Sequence, residues 1–159
     1  MLARVVKNYM EYDYVVGNPP YVRIQNLPDS QKAMMDSLYD ATTGNYDIYC
    51  PFYERGLDWL AEDTGKLGFI TPNQFMVTDY GDGLRQYMRR NVRIDEMYDF
   101  RDSGVFKDAT NYPVILIAED EPDGEARNGN EIRCVRVKGN VDEDSGRALD
   151  EQIIQGVRD

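Results

Sequence analysis

Asn18-Pro19-Pro20-Tyr21 stands directly after the apolar run Tyr14-Val15-Val16 and the glycine that closes it. Without its neighbours this is a strand-terminating turn, because proline lacks a backbone donor and Asn-Pro starts turns. Together with Tyr12-Asp13-Tyr14-Val15-Val16-Gly17 it forms a block suited to chemistry on a planar amine. The exocyclic nitrogen of a base, such as N6 of adenine, is a poor nucleophile because its lone pair is delocalised into the ring. Two acceptors on its two hydrogens favour a pyramidal nitrogen whose lone pair points at an electrophile. The side-chain oxygen of Asn18 and the backbone carbonyl of Pro19 are suited to that task, since rigid prolines aim a carbonyl with little entropy left to lose. Tyr21 offers an aromatic face on which the base can stack. No strong base is required, which suits a chain without histidine.

The elements that must hold this turn follow from the pattern around it. Tyr14 to Val16 reads as a strand, so the turn falls at the carboxyl edge where open α/β sheets bind ligands. Val22 to Asn45 is polar and weakly patterned, with a short helix around Ser30 to Tyr39, and a loop of that length is functional or mobile. Asp47 begins a helical stripe, with Tyr49, Phe52, Tyr53, Leu57 and Leu60 recurring at intervals of three and four up to Ala61. Lys66 to Ile70 reads as a buried strand closed by Thr71-Pro72-Asn73. A second helix is expected over Asp79 to Arg90, burying Leu84, Tyr87 and Met88, followed by strands at Ile94 to Phe100 and Val114 to Ala118. Alternating strands and helices predict an α/β layer fold on a mostly parallel sheet.

Composition bounds these expectations. The chain has 159 residues, 42% hydrophobic and 30% charged, which fits one globular domain. No apolar run is long enough to span a membrane and no secretion signal is legible, so the expected location is the cytoplasm. The absence of histidine excludes zinc sites of the usual Cys and His type. Cys50 and Cys134 are read as reduced core residues. Net charge is -11, with 29 acids against 18 bases. An Asp-rich, Lys-poor surface of this kind resembles those adapted to a high-salt cytoplasm, which is the expected source, and by itself the charge argues against nucleic acid as a partner. Arg85, Arg89, Arg90 and Arg93 nevertheless form a basic stretch without an acid, either a solvated helix face or a contact surface. From Glu119 onward 12 acids face 6 bases, and glycines are scattered. Glu131 to Lys138 is one further candidate strand; the remainder of 120–159 reads as acidic linker or the start of a following region.

In this setting Asn18-Pro19-Pro20-Tyr21 resembles the catalytic motif of adenine-specific DNA methyltransferases of restriction-modification systems. The likeness extends to Asp47 to Leu60, to Gly65-Lys66-Leu67-Gly68-Phe69-Ile70-Thr71-Pro72-Asn73-Gln74-Phe75, and to Val105-Phe106 followed by Tyr112-Pro113-Val114-Ile115-Leu116-Ile117. It covers about residues 11–119, and the subgroup most resembled fuses methylation and restriction in one polypeptide. The resemblance implies a partial Rossmann-like fold that carries the family's fourth to seventh strands, the last antiparallel. It implies S-adenosylmethionine as methyl donor and DNA as partner. Asn18 and Pro19 would hold the amino group and Tyr21 would stack on a base flipped out of the duplex. Pro20 would lie near the methionine part of the cofactor. Phe106 would be a second aromatic contact to the base or a core residue, and Arg23 a phosphate contact or a solvated loop residue.

One departure is large. In the family a glycine-rich cofactor loop and a ribose-binding acid precede the motif by several strands, and Met1 to Tyr12 contains no Gly-x-Gly. The expectation is a fragment, an excised piece or a truncated gene product, in which 1–119 is the target-base half of the catalytic domain and the rest of the parent enzyme is the partner. The alternatives are a non-catalytic DNA-binding or assembly module, and a methyltransferase acting on an RNA or protein amine. Thr71, Pro72 and Asn73 either line the pocket or end a strand.

Overall fold

The computed structural model describes residues 11–102 and 112–138. Its centre is a five-stranded sheet in the order β1-β2-β4-β3-β5. The strands are β1 (Tyr14–Gly17), β2 (Lys66–Pro72), β3 (Val92–Asp102), β4 (Pro113–Asp120) and β5 (Arg133–Lys138). β1 runs parallel to β2 and β3 parallel to β5, whereas β4 is antiparallel to both β2 and β3. Four strands therefore share one direction and β4 opposes them: the mostly parallel sheet is the one the strand and helix alternation predicts, and the antiparallel Val114–Ala118 strand is the one the family resemblance implies. β5 lies beyond residue 119, inside the acidic stretch, and is laddered to β3 from Glu96↔Arg133 onward.

Parallel neighbours need a crossover, and the one between β1 and β2 contains α1 (Asp29–Leu38) and α2 (Tyr49–Asp58). A 3-10 turn at Asp79–Gly81 leads into α3 (Asp82–Asn91), which feeds β3; α4 (Gly124–Asn128) precedes β5. The second helix expected from the sequence is thus split at Gly81, which packs against the backbone of Phe75 so closely that an added Cβ would lie 2.1 Å from its carbonyl oxygen.

The strands alternate as a half-covered sheet should. Leu67, Phe69 and Thr71 of β2 and Val114, Leu116 and Ala118 of β4 are buried, and the residues between them only half-buried. Tyr49, Tyr53 and Leu57 of α2 and Leu84, Tyr87 and Met88 of α3 complete the core on that face. α2 approaches β2 closely enough that a Cβ at Gly56 would meet Leu67 Cδ1 at 2.6 Å.

Two side chains depart from expectation. Phe52 is 42% exposed, since it falls at the rim of the stripe centred on Tyr49, Tyr53 and Gly56. Cys134 is exposed whereas Cys50 is buried. β5 forms one end of the sheet, and its side chains alternate between Val137, which is buried, and Cys134 and Arg136, which are exposed. Among the described residues no helix is long and apolar enough to cross a membrane.

Candidate active site

The parallel register of β1 on β2 ends at Gly17↔Phe69, so the chain leaves the sheet at Asn18 beside Ile70. Gly17 is there because the two strands are close: a Cβ would stand 3.2 Å from the Phe69 ring. Pro19 is buried and anchors the turn, while Asn18, Pro20 and Tyr21 are exposed. Among the described residues no backbone N–H donates to the Pro19 carbonyl, and the Asn18 side-chain oxygen has one partner, the Tyr21 hydroxyl at 2.5 Å. The same hydroxyl also reaches the Ile70 carbonyl at 3.1 Å. The Asn18 side-chain oxygen and the Tyr21 hydroxyl thus sit together just past the carboxyl end of β1, beside Ile70.

Tyr21 rests on an aromatic bed. Its ring meets the edge of Tyr49 at 6.3 Å and 90°, and Tyr49 meets Phe75 at 6.2 Å. Tyr53 packs on Phe69 and Phe75 and shares a buried hydrogen bond of 2.8 Å with Thr71 Oγ1. Edge-to-face geometry suits ring quadrupoles and fixes the tilt of the outermost ring. Burial raises the Tyr21 phenol above its usual range, and burial, foremost, also raises Tyr49 and Tyr80. At neutral pH these groups keep their protons; Tyr21 and Tyr80 act as neutral donors, whereas the buried Tyr49 hydroxyl has no hydrogen-bond partner among the described residues.

Of the flanking residues, Thr71 and Pro72 are buried, and Thr71 is engaged by Tyr53, so they support the edge from beneath. Asn73 donates its backbone N–H to the Tyr112 carbonyl at 2.8 Å. Arg23 is exposed, its guanidinium carbon 5.9 Å from the centroid of Tyr80. Phe106 lies outside the described residues. Sequence reasoning missed Asp47 and Tyr80 beside this turn. Asp47 is read there only as a helix start, and the local sequence has no sign that residues 46–48 pair with 22–24.

The basic stretch divides in two. Arg85 is engaged by the carbonyls of Phe75 (2.5 Å) and Thr78 (2.7 Å), holding the turn that carries Phe75. Arg93 joins Asp95 (3.2 Å) and Glu119 (2.5 Å) in a network that also contains Lys66. Arg89 and Arg90 remain on the exposed face of α3.

With this geometry in hand, comparison with known families is decisive: residues 3–106 match the model described as Eco57I restriction-modification methylase. The chain belongs to that family. Among curated relatives it is 37% identical over 118 residues to the type II methyltransferase M.PaeR7I of Pseudomonas aeruginosa, covering 74% of this chain and 20% of that protein. It is 30% identical over 132 residues to the adenine-specific methyltransferase PglX of Streptomyces coelicolor, covering 79% of this chain and 10% of that protein. The chain therefore spans a fifth or less of these two relatives. Among solved structures, a class I S-adenosylmethionine-dependent methyltransferase from Listeria monocytogenes aligns with a TM-score of 0.61 at 15% identity, over 94% of this chain and 43% of that one. The α/β fold is thus that of class I methyltransferases, and the resemblance carried by Asn18 to Tyr21 holds at the level of the family.

Proposed function

We propose that this chain is the target-base half of an enzyme that transfers a methyl group from S-adenosylmethionine to N6 of adenine in DNA. The observation that carries the reading is the Asn18 side-chain oxygen, which stands at the exposed carboxyl edge of β1 and already accepts a hydrogen bond from a neutral donor at 2.5 Å. An adenine amino group placed there donates one hydrogen to Asn18 Oδ1 and the other to the Pro19 carbonyl. Loss of conjugation into the ring then leaves the nitrogen lone pair directed away from both acceptors. After attack the extra proton on nitrogen leaves to solvent, so no protein base is needed. Tyr21 stacks on the extruded base, offsetting part of the few kcal/mol that unstacking costs; Phe106 is a second candidate for this contact. Arg23, exposed two residues beyond Tyr21, is a candidate phosphate contact.

Pro20, exposed just past β1, would contact the methionine part of the cofactor, and S-adenosylmethionine when bound supplies an electrophilic methyl group on sulfur. The remainder of the parent methyltransferase is proposed to pack against β1. β1 is an edge of the described sheet, and Tyr12, Tyr14, Val16 and Trp59 present an exposed apolar surface there. Residues 1–119 would form the catalytic half, with β5 extending its sheet. A cytoplasmic setting follows from action on cellular DNA. The net charge of -11 supports a high-salt one, which rising stability from low to molar salt would test.

Asn18→Ala in the intact methyltransferase tests the reading. Methyl transfer to DNA, read by mass spectrometry of the nucleosides, is expected to vanish while cofactor binding stays nearly unchanged. Retained turnover removes Asn18 from the mechanism. Product found only on RNA or protein, or DNA binding without transfer, favours the alternatives.

A further inference from the structure

The segment leaving the Asn18–Tyr21 turn is fastened to the start of α2 by a short antiparallel ladder. Ile24 N–H donates to the Tyr46 carbonyl at 3.0 Å and Ile48 N–H to the Val22 carbonyl at 2.8 Å, which sets Arg23 opposite Asp47. Asp47 is only 8% exposed. A carboxylate so covered needs compensation, because taking a charge out of water is expensive. Burial, foremost, still pushes the Asp47 carboxyl above its usual range, and the Arg23 charge across the ladder offsets part of that pressure. Tyr80 places its ring under the Arg23 guanidinium, 5.9 Å from centroid to carbon.

Arg23 itself stays exposed. Arg85 and Arg93, by contrast, are tied to carbonyls and carboxylates within the fold. Arg23 is therefore a cation set opposite a carboxylate across the ladder and over a ring, on the rim beside Tyr21. A guanidinium set in this way loses less rotamer freedom when it meets an anion than one on a free side chain.

We propose that Asp47 is a positioning residue for DNA engagement, holding Arg23 where it meets the phosphate of the nucleotide whose base stacks on Tyr21. The proposal rests on the DNA methylation reading above. It has a consequence opposed to simple electrostatics. Removing an acid near DNA ought to strengthen binding, yet neutralising Asp47 should weaken it by releasing Arg23.

The test measures KM for DNA and kcat at several salt concentrations in the intact methyltransferase, for Asp47→Asn, Arg23→Ala, Arg23→Lys and the Asp47→Asn/Arg23→Ala double variant. Each single change is expected to raise KM for DNA about fivefold or more with kcat kept within about twofold, and Arg23→Ala and Asp47→Asn to reduce the salt slope of binding by about one. The double variant should be no worse than Arg23→Ala. A KM for Asp47→Asn that is unchanged or lower, or effects that multiply in the double variant, would overturn the proposal. Should Asp47→Asn not fold, Arg23→Lys decides: it keeps the charge but loses the planar stack on Tyr80, and an unchanged KM there is equally fatal. Wild-type protein without activity on DNA adenine would overturn both readings; wild-type turnover with multiplicative variants overturns this one alone.

Discussion

The hydroxyl of Tyr21 donates to Asn18 Oδ1 across 2.5 Å while lying 3.1 Å from the carbonyl of Ile70. One hydroxyl carries one proton, so it serves one of these acceptors at a time. In the free protein the proton sits where an incoming amine would donate. Rotation about the C–O bond transfers it to Ile70 without leaving a donor unpaired. The site is thus occupied by its own side chain and can be vacated at little cost.

Tyr21→Phe should accordingly retain turnover within a few-fold, since it removes a competitor for Asn18 and keeps the ring. Tyr21→Ala should weaken productive binding by about 1–3 kcal/mol, the range for base-aromatic stacks. Steady-state kinetics of the two variants side by side check this; equal losses would place the hydroxyl, not the ring, at the centre of the site.

The Tyr53–Thr71 hydrogen bond supports the edge from below, and its partners are fully buried. Thr71→Val or Tyr53→Phe alone leaves one polar group without a partner, at a cost of about 1–3 kcal/mol. The double replacement should recover most of that loss. Urea unfolding of the three variants gives the comparison, and additive losses would contradict it.

Gly81 and Gly44 separate two reasons for glycine. A Cβ at Gly81 would fall 2.1 Å from the Phe75 carbonyl oxygen, and backbone there must move, so Gly81→Ala should cost about 1–3 kcal/mol or more. Gly44 has open space around it but φ of +66°, so Gly44→Ala should cost about 1 kcal/mol through conformation alone. Chemical denaturation is expected to rank Gly81→Ala as the more damaging.

Burial, foremost, pushes the Cys50 thiol up to about 12, with the nearby Asp47 charge acting in the same direction. A thiol group raised in the folded state contributes stability below its unfolded value near 9 that is lost as pH climbs toward 12. At neutral pH Cys134, which is exposed, should react with a thiol reagent in the native protein and Cys50 only after unfolding. Cys50→Ala should flatten the alkaline loss of stability; an unchanged profile would assign that loss to other groups.

Periodicity and punctuation made most of the elements legible in the chain itself. Glycine and prolines stop β1 where the turn must begin, and β-type apolar runs mark β2 and β4. Spacing of three and four marks α2, although the same spacing includes Phe52, which lies exposed because the limits of the stripe depend on what packs against it. Direction and neighbourhood were less accessible: β4 runs against β2 and β3, and only the likeness to a family anticipated that.

What the residues determined unaided is the chemistry on offer: an amide oxygen, a carbonyl fixed by prolines and an aromatic ring within four positions, in a chain lacking histidine. Those properties are covalent and local. Tertiary structure alone decided which groups share that edge. It set the Ile70 carbonyl within reach of Tyr21, buried Thr71 under Tyr53, and brought Arg23 opposite Asp47 across 24 positions of chain. Such contacts arise from strand register and helix packing, whose energies are sums over many distant residues, so no short stretch of sequence contains them.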